Sequence, residues 1–329
     1  MTWFEQLTGI KESSPDQVRS ELAIDGECIV CPNGQRHRFG TLQVPTLGEL
    51  RSRVQALDPA PGRVRLSEVV GDVRQMHADV GNAGATFQVA SQFNLLEMAS
   101  PSITPESGVG IYENDRTQGP ACAISCGAGT IYRNYFVPIG DQLGQSADRQ
   151  IDCASDLGSL LGNETQPLWT MENGYLFPSD QGLQDVTATL RSAGEAVRDD
   201  YRASLRIGIQ SGADVTLPGC SHQVTQLYCS ALPVAYGSQP TEQWHDFANL
   251  VLEAAYESTF CAAILNAAQT GCNKLYLTLL GGGVFGNRYE WITGAIERAA
   301  TLYRHADLDV AIVSYGRSNP AVRELMQRC

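Results

Sequence analysis

The sequence predicts an α/β protein: a three-layer α/β/α sandwich around a mixed, mostly parallel sheet, with a small N-terminal appendage. Three observations lead there. Strand-like and helix-like segments alternate from residue 63 onward, a pattern that requires a sheet covered on both faces. The stretch "WHDFANLVLEAAYESTFCAAILNAAQTG" has the length of a long helix and is apolar enough to be largely buried, ending at Gly271. Finally, "NKLYLTLLGGGVFGN" runs a buried strand directly into three glycines. Bare backbone at a strand end suits amide groups closing around an anion that a side chain would push away.

Before residue 63 the chain reads as a separate α+β appendage, residues 1–60. "SPDQVRSELAI" has a serine helix start, Asn33-Gly34 sits between two strand-like runs as a hairpin turn, and "PTLGELRSRVQAL" is a helix with Pro45 near its start. "DPAPG" at 58–62 is the expected linker. In the main domain, 61–329, "RVRLSEVVGDV" is a strand ending at Gly71-Asp72, and "ATFQVASQFNLLEM" a second strand. A loop rich in Ser, Pro, Gly and acids covers 99–118, and "PACAISCGAGTIYRNYF" follows as a helix of small residues. Residues 137–182 read as an irregular insertion with a short hairpin around "NGYLFPS", and 183–209 as one long amphipathic helix. Three strands, "HQVTQLYCSALPVAY", "NKLYLTLL" and "LDVAIVSYG", and the helix "WITGAIERAATLY" complete the alternation.

Composition narrows the function. The 329 residues are 43% apolar, and 36 acidic against 23 basic residues give a net charge of -13. A surface for nucleic-acid phosphates is therefore not expected. The start "MTWFEQLTGIKESS" lacks a basic region followed by an apolar core, and no apolar run is long enough to span a bilayer. The expectation is a cytoplasmic protein, or one delivered into a host cytosol without an N-terminal signal peptide. The ten cysteines are dispersed; Cys28 and Cys31 alone have ligand spacing, with no second close pair, so neither a metal nor a cofactor is expected.

Gly281, Gly283 and Gly286 satisfy GxGxxG, but 43 residues follow Gly286, too few for the doubly wound domain that this motif should open. Read together, "VVGDV", "FQVASQFNLLEM" and "LLGGGVFGN" resemble the strand ends of the macrodomain, a module that binds and often processes ADP-ribose. The resemblance spans about 63–319. It implies that Asp72, with Val73, holds the adenine, and that Asn94 faces the distal ribose. It also implies that Gly281, Gly282, Gly283, Val284 and Gly286 close over the diphosphate with Phe285 beside the ribose. Asn287 either contacts phosphate or takes a left-handed turn. Where common macrodomains carry a second glycine triplet, this chain has "EMASPSITPESGVGIYENDRTQGPACA", which looks more like the poly-ADP-ribose glycohydrolases and bacterial effectors that remove ADP-ribose from arginine of ubiquitin.

Carboxylates in that loop suit hydrolysis of a glycosidic bond, because the oxocarbenium-like state needs a stabilising negative charge and a proton donor. The candidates are Asp115, Glu106 and Glu97, with Asp115 expected to be held ionised by the amides of the helix that follows it. The expected activity is that of an ADP-ribosyl-protein hydrolase, acting on ADP-ribose or ADP-ribosylated protein, with arginine linkage and ubiquitin as candidate carriers. The alternative is a reader that binds ADP-ribose without cleaving it. Solvated surface acids would account for the same loop.

Overall fold

The structure is a computed structural model that describes residues 1–57 and 62–328. Most of the expected linker, residues 58–61, lies outside the described residues. The strands of the main sheet are numbered in chain order: β1 (Thr41–Gln43), β2 (Val64–Val70), β3 (Thr86–Ala90), β4 (Gly208–Asp214), β5 (Gln223–Cys229), β6 (Lys274–Leu277) and β7 (Leu308–Ser314). Their spatial order is β1-β4-β5-β3-β6-β7-β2. The five from β5 to β2 run parallel, while β4 is antiparallel to both of its neighbours. The sheet is thus mixed and mostly parallel.

Successive residues of β3 show why both faces are covered. Phe87 stacks on His77 of the Val73–Ala78 helix, with ring centroids 3.8 Å apart. Its neighbour Gln88 points the other way and donates to Thr259, 3.0 Å away, on the His245–Thr270 helix. Strand side chains alternate in direction, so the two helices lie on opposite faces. On β5, Thr225 and Gln226 repeat the division, reaching Asn266 on one side and the Cys122 carbonyl on the other.

Several expectations meet different local physics. The second strand stops at Ala90 instead of reaching Met98. Beyond it Leu95 turns back with φ +65°, and the Gln92 amide donates to the Leu96 carbonyl. The apolar run is buried there as a loop, because Phe93 and Cys153 join it by backbone hydrogen bonds to the insertion. The single helix expected at 183–209 is two, Asp180–Ser192 and Glu195–Ser204, parted by the extended Ala193 and Gly194. Its last residues belong to β4, whose pairing with β5 is a contact that helical periodicity cannot reveal. The small-residue helix is interrupted at Cys126, where Thr216 takes the freed amide of Gly127 on its hydroxyl. The insertion carries the expected hairpin, Trp169–Glu172 against Tyr175–Pro178, and also a helix at Ser155–Leu161.

Within the expected appendage, Cys28–Val30 and Arg36–Arg38 pair around the Asn33-Gly34 turn, and Thr41–Gln43 continues into the main sheet as edge strand β1. Leu47 and Leu50 of the Leu47–Gln55 helix are wholly buried in the main core. A second apolar cluster joins Phe4, Leu7 and Val18 to Val109, Tyr112, Ile131 and Tyr135. The first residues of the chain therefore pack against the acidic loop.

Candidate functional site

Because β5, β3, β6, β7 and β2 are parallel, their carboxyl ends share one edge, where ligands of open α/β sheets sit. The glycine loop leaves β6 there. Tyr256 braces its start, its hydroxyl donating to the Thr278 carbonyl and accepting from the Leu280 amide. Gly281 and Gly286 both have φ +72°, and a Cβ on either would come within 2.8 Å of Ala231 or Ala235 on the loop after β5. Asn287 closes the base of the loop, donating from Nδ2 to the Leu232 carbonyl at 2.8 Å and from its amide to the Gly281 carbonyl. Its φ is not left-handed, and its side chain is directed inward, so its contact here is with the protein. Gly282 is packed near Ile292 and Tyr289, whereas Gly283 has open space around it and Val284 is 59% exposed. Among the described residues the amides of Gly283, Val284 and Phe285 donate to no protein group. Consecutive amides without a protein acceptor on an exposed loop are donors of the kind that anions take.

Phe285 leads from this loop to Asp115. Its ring lies 5.4 Å from Tyr175 and 5.8 Å from Tyr236, and those two are 5.5 Å apart. Burial, the Tyr236 phenol and the Asp115 charge push the Tyr175 hydroxyl above its usual value; burial and Asp115 do the same to Tyr236. The Asp115 charge is thus felt at both tyrosines. Asp115 Oδ1 accepts from the amide of Thr117, the N-cap of the Gln118–Ser125 helix, at 2.8 Å, instead of from the first-turn amides.

The other expected acids are placed differently. Glu106 is exposed and accepts from the Ala147 amide of the insertion. Glu97 is buried with Arg133, whose Nη2 stands 3.5 Å from Glu97 Oε1, and neither carboxylate oxygen has a hydrogen-bond partner among the described residues. Arg133 donates from Nε to the Leu95 carbonyl and lies 3.5 Å over the Tyr228 ring. Burial pushes the Glu97 carboxyl up to about 8 against the pull of Arg133 and Tyr112. Asn94 is likewise fully buried; Oδ1 accepts from the Leu96 amide and Nδ2 donates to Gln150. Asn94 thereby ties the loop after β3 to the insertion.

Asp72 is half-buried at the end of β2 and caps the Val73–Ala78 helix through one oxygen, taking the Arg74 amide at 2.8 Å. Val73 is buried behind it. Gly71 donates to the Ser314 carbonyl, which brings the end of β7 alongside, and there Tyr315 is 82% exposed. Glu68 supports that turn by accepting from Ser314, Ser318 and the Asn319 amide. Sequence reasoning missed Tyr175, Tyr236 and Tyr315. An aromatic immediately after a strand was a legible signal for Tyr315; Tyr175 and Tyr236 reach the site from distant segments.

The cavity of about 390 Å³ between the Glu195–Ser204, His245–Thr270 and Tyr289–Leu302 helices is a different feature. Its Arg198, Arg202 and Arg298 are each paired with a carboxylate. Among the described residues no cluster of His, Cys, Asp and Glu could hold a metal ion, and no helix is long and apolar enough to cross a membrane.

No family model and no curated protein matches the chain. Solved structures similar to it include poly(ADP-ribose) glycohydrolase from Thermomonospora curvata bound to the inhibitor ADP-HPD. That match has 14% identity over 92% of this chain and 94% of that one, with a TM-score of 0.45. The glycohydrolase from Deinococcus radiodurans in complex with ADP-ribose has 12% identity over 88% and 95% of the two chains, with a TM-score of 0.47.

The buried Glu97 generates a prediction about pH. The folded state keeps its proton up to about 8, whereas the unfolded chain releases it near 4.5. The stability this group contributes is therefore complete below the unfolded value and is lost as pH rises through the folded one. Glu97→Gln should flatten the fall in stability across that window. Denaturant unfolding at several pH values measures it, and an unchanged slope in the variant would mean that Glu97 does not carry this proton.

Proposed function

We propose that this chain is an ADP-ribosyl hydrolase that cleaves the glycosidic bond at the distal ribose of ADP-ribosylated protein. The observation that carries the reading is that two segments share the carboxyl edge of the sheet: a loop of free amides, joined through Phe285 to Tyr175 and Tyr236, and the Asp115 turn, fastened to the end of β3 by Gln118 and electrostatically felt at both tyrosines. The free amides suit a diphosphate, and Asp72 with the exposed Tyr315 offers an acceptor and a flat ring for adenine. Asp115 then supplies negative charge where positive charge builds on the anomeric carbon, favouring the transition state over the ground state. Arginine-linked ADP-ribose is the proposed linkage, since a guanidinium pairs with a carboxylate and also stacks on aromatic faces; ubiquitin is the carrier to test first. The proposed setting is a cytosol, the cell's own or a host's.

A second reading, a reader that binds ADP-ribose without cleaving it, is favoured by one observation. Glycoside hydrolysis commonly uses two carboxylates, and here Glu97 is enclosed with Arg133 while Glu106 is engaged by the insertion. Release of ADP-ribose from a panel of proteins modified on different side chains separates the two.

Gly283→Glu should remove most ADP-ribose affinity and leave the fold intact, because the position is open and its φ is ordinary. Binding as tight as wild type by calorimetry would refute an anion site on this loop.

Asp72→Ala should weaken ADP-ribose binding by about 1.5–3 kcal/mol through loss of a charged hydrogen bond. It also removes a helix cap, so thermal unfolding must accompany the calorimetry. A lowered melting temperature with an unchanged Kd would reduce Asp72 to that cap.

Asp115→Asn keeps an oxygen for the Thr117 amide and removes the charge. Turnover should fall by on the order of 10²-fold while ADP-ribose affinity changes little, since the product carries no developing cation. Wild-type turnover in this variant would move the protein to the reader class.

A further inference from the structure

We propose that Glu12, in the N-terminal segment, is a positioning residue for the reaction, fixing the turn that carries Asp115. The proposal rests on the reading of Asp115 given above. Glu12 accepts from the amides of Val109 at 2.9 Å and Gly110 at 2.6 Å, and from the Tyr135 hydroxyl at 2.6 Å. Room for its carboxylate is made by two glycines. A Cβ on Gly108 or on Gly110 would approach Glu12 to 2.6 Å, and Gly108 also needs its φ of +82°. Trp3 adds two contacts, its indole N–H donating to the Val109 carbonyl and its amide to Glu113, both at 3.1 Å.

From this anchor a short chain of hydrogen bonds leads to the site. The Tyr112 amide donates to the Val109 carbonyl, and the Asp115 amide to the Tyr112 carbonyl, each at 3.1 Å. On the far side Gln118, three residues on, is fastened to β3 through its own side-chain amide. Asp115 is therefore held between an anchor on the sheet and an anchor on the N-terminal segment. A carboxylate that accepts two amides and a phenol makes charge-assisted bonds, and removing it leaves two partly buried amides without their acceptor. The turn then loosens on one side, and a misplacement of about 1 Å in a reacting group can cost up to 10²-fold in rate.

Glu12→Ala should lower kcat for ADP-ribose release from a modified protein by about tenfold or more, with KM and the Kd for ADP-ribose within about twofold of wild type. In an Asp115→Ala background the same change should lower kcat no further, because Glu12 acts through Asp115. Hydrogen exchange should quicken at residues 109–115 and stay unchanged in the glycine loop. Wild-type kcat in Glu12→Ala, a full further loss in the Asp115→Ala background, or unaltered exchange in the turn would each overturn the proposal. Glu12→Gln, which keeps the length but removes the charge and one of the two acceptor oxygens, gives the same direction with a smaller loss should Glu12→Ala not fold; wild-type kcat and exchange there would overturn it equally. If wild type releases no ADP-ribose from any modified protein, the hydrolase reading fails, whereas exchange still reports whether Glu12 holds the turn.

Discussion

The site depends first on how β3 ends. The side chain of Gln118 accepts from the Ala90 amide and donates to the Gln88 carbonyl, so it satisfies the strand as a short piece of neighbouring backbone would. Gly119 lets this happen, because a Cβ there would lie 2.0 Å from the Ala90 carbonyl oxygen. With the Gln118–Ser125 helix drawn against the strand end, the loop after β3 must fold back beneath it. Asp115, three residues before Gln118, is delivered to the edge that also carries the glycine loop. A side chain standing in for backbone thus fixes where the acidic turn leaves the strand end.

Beneath this contact lies Glu97 with Arg133. Isolating a carboxylate from water is expensive, and a single ion-pair contact at 3.5 Å with no further hydrogen bonds offsets it poorly. Protonation of Glu97 lowers the cost, and the Tyr228 ring under Arg133 supports the remaining cation. The pair is poor evidence of stability. It does connect the loop after β3, the Gly127–Tyr135 helix and β5, so that a shift in one is felt by the others.

Three segments outside the alternating core supply the walls of the proposed site. The insertion brings Tyr175 against Phe285, the loop after β5 brings Tyr236, and the N-terminal residues grip the turn before Asp115. The sheet sets the edge on which chemistry can occur, while these segments set its shape. Function-bearing groups on loops held by a rigid scaffold are the usual division of labour in α/β proteins.

By itself the sequence determined what depends on neighbours along the chain. Alternating segments declared the layered sheet, Asn33-Gly34 its hairpin, and the glycine-rich run after Leu280 a loop, in which Gly281 and Gly282 pack and the amides of Gly283, Val284 and Phe285 are left free. Asp115 stood out because it precedes a helix start. Tertiary structure alone decided matters that rest on contacts between distant residues. The apolar end "FNLLEM" became a loop, since the insertion supplied its hydrogen-bond partners, and the end of the presumed helix at 183–209 became β4, since β5 lay waiting to pair with it. Glu97 and Asn94 turned inward because whether a polar side chain faces solvent or core is set by what packs over it, and here that lies dozens of residues away.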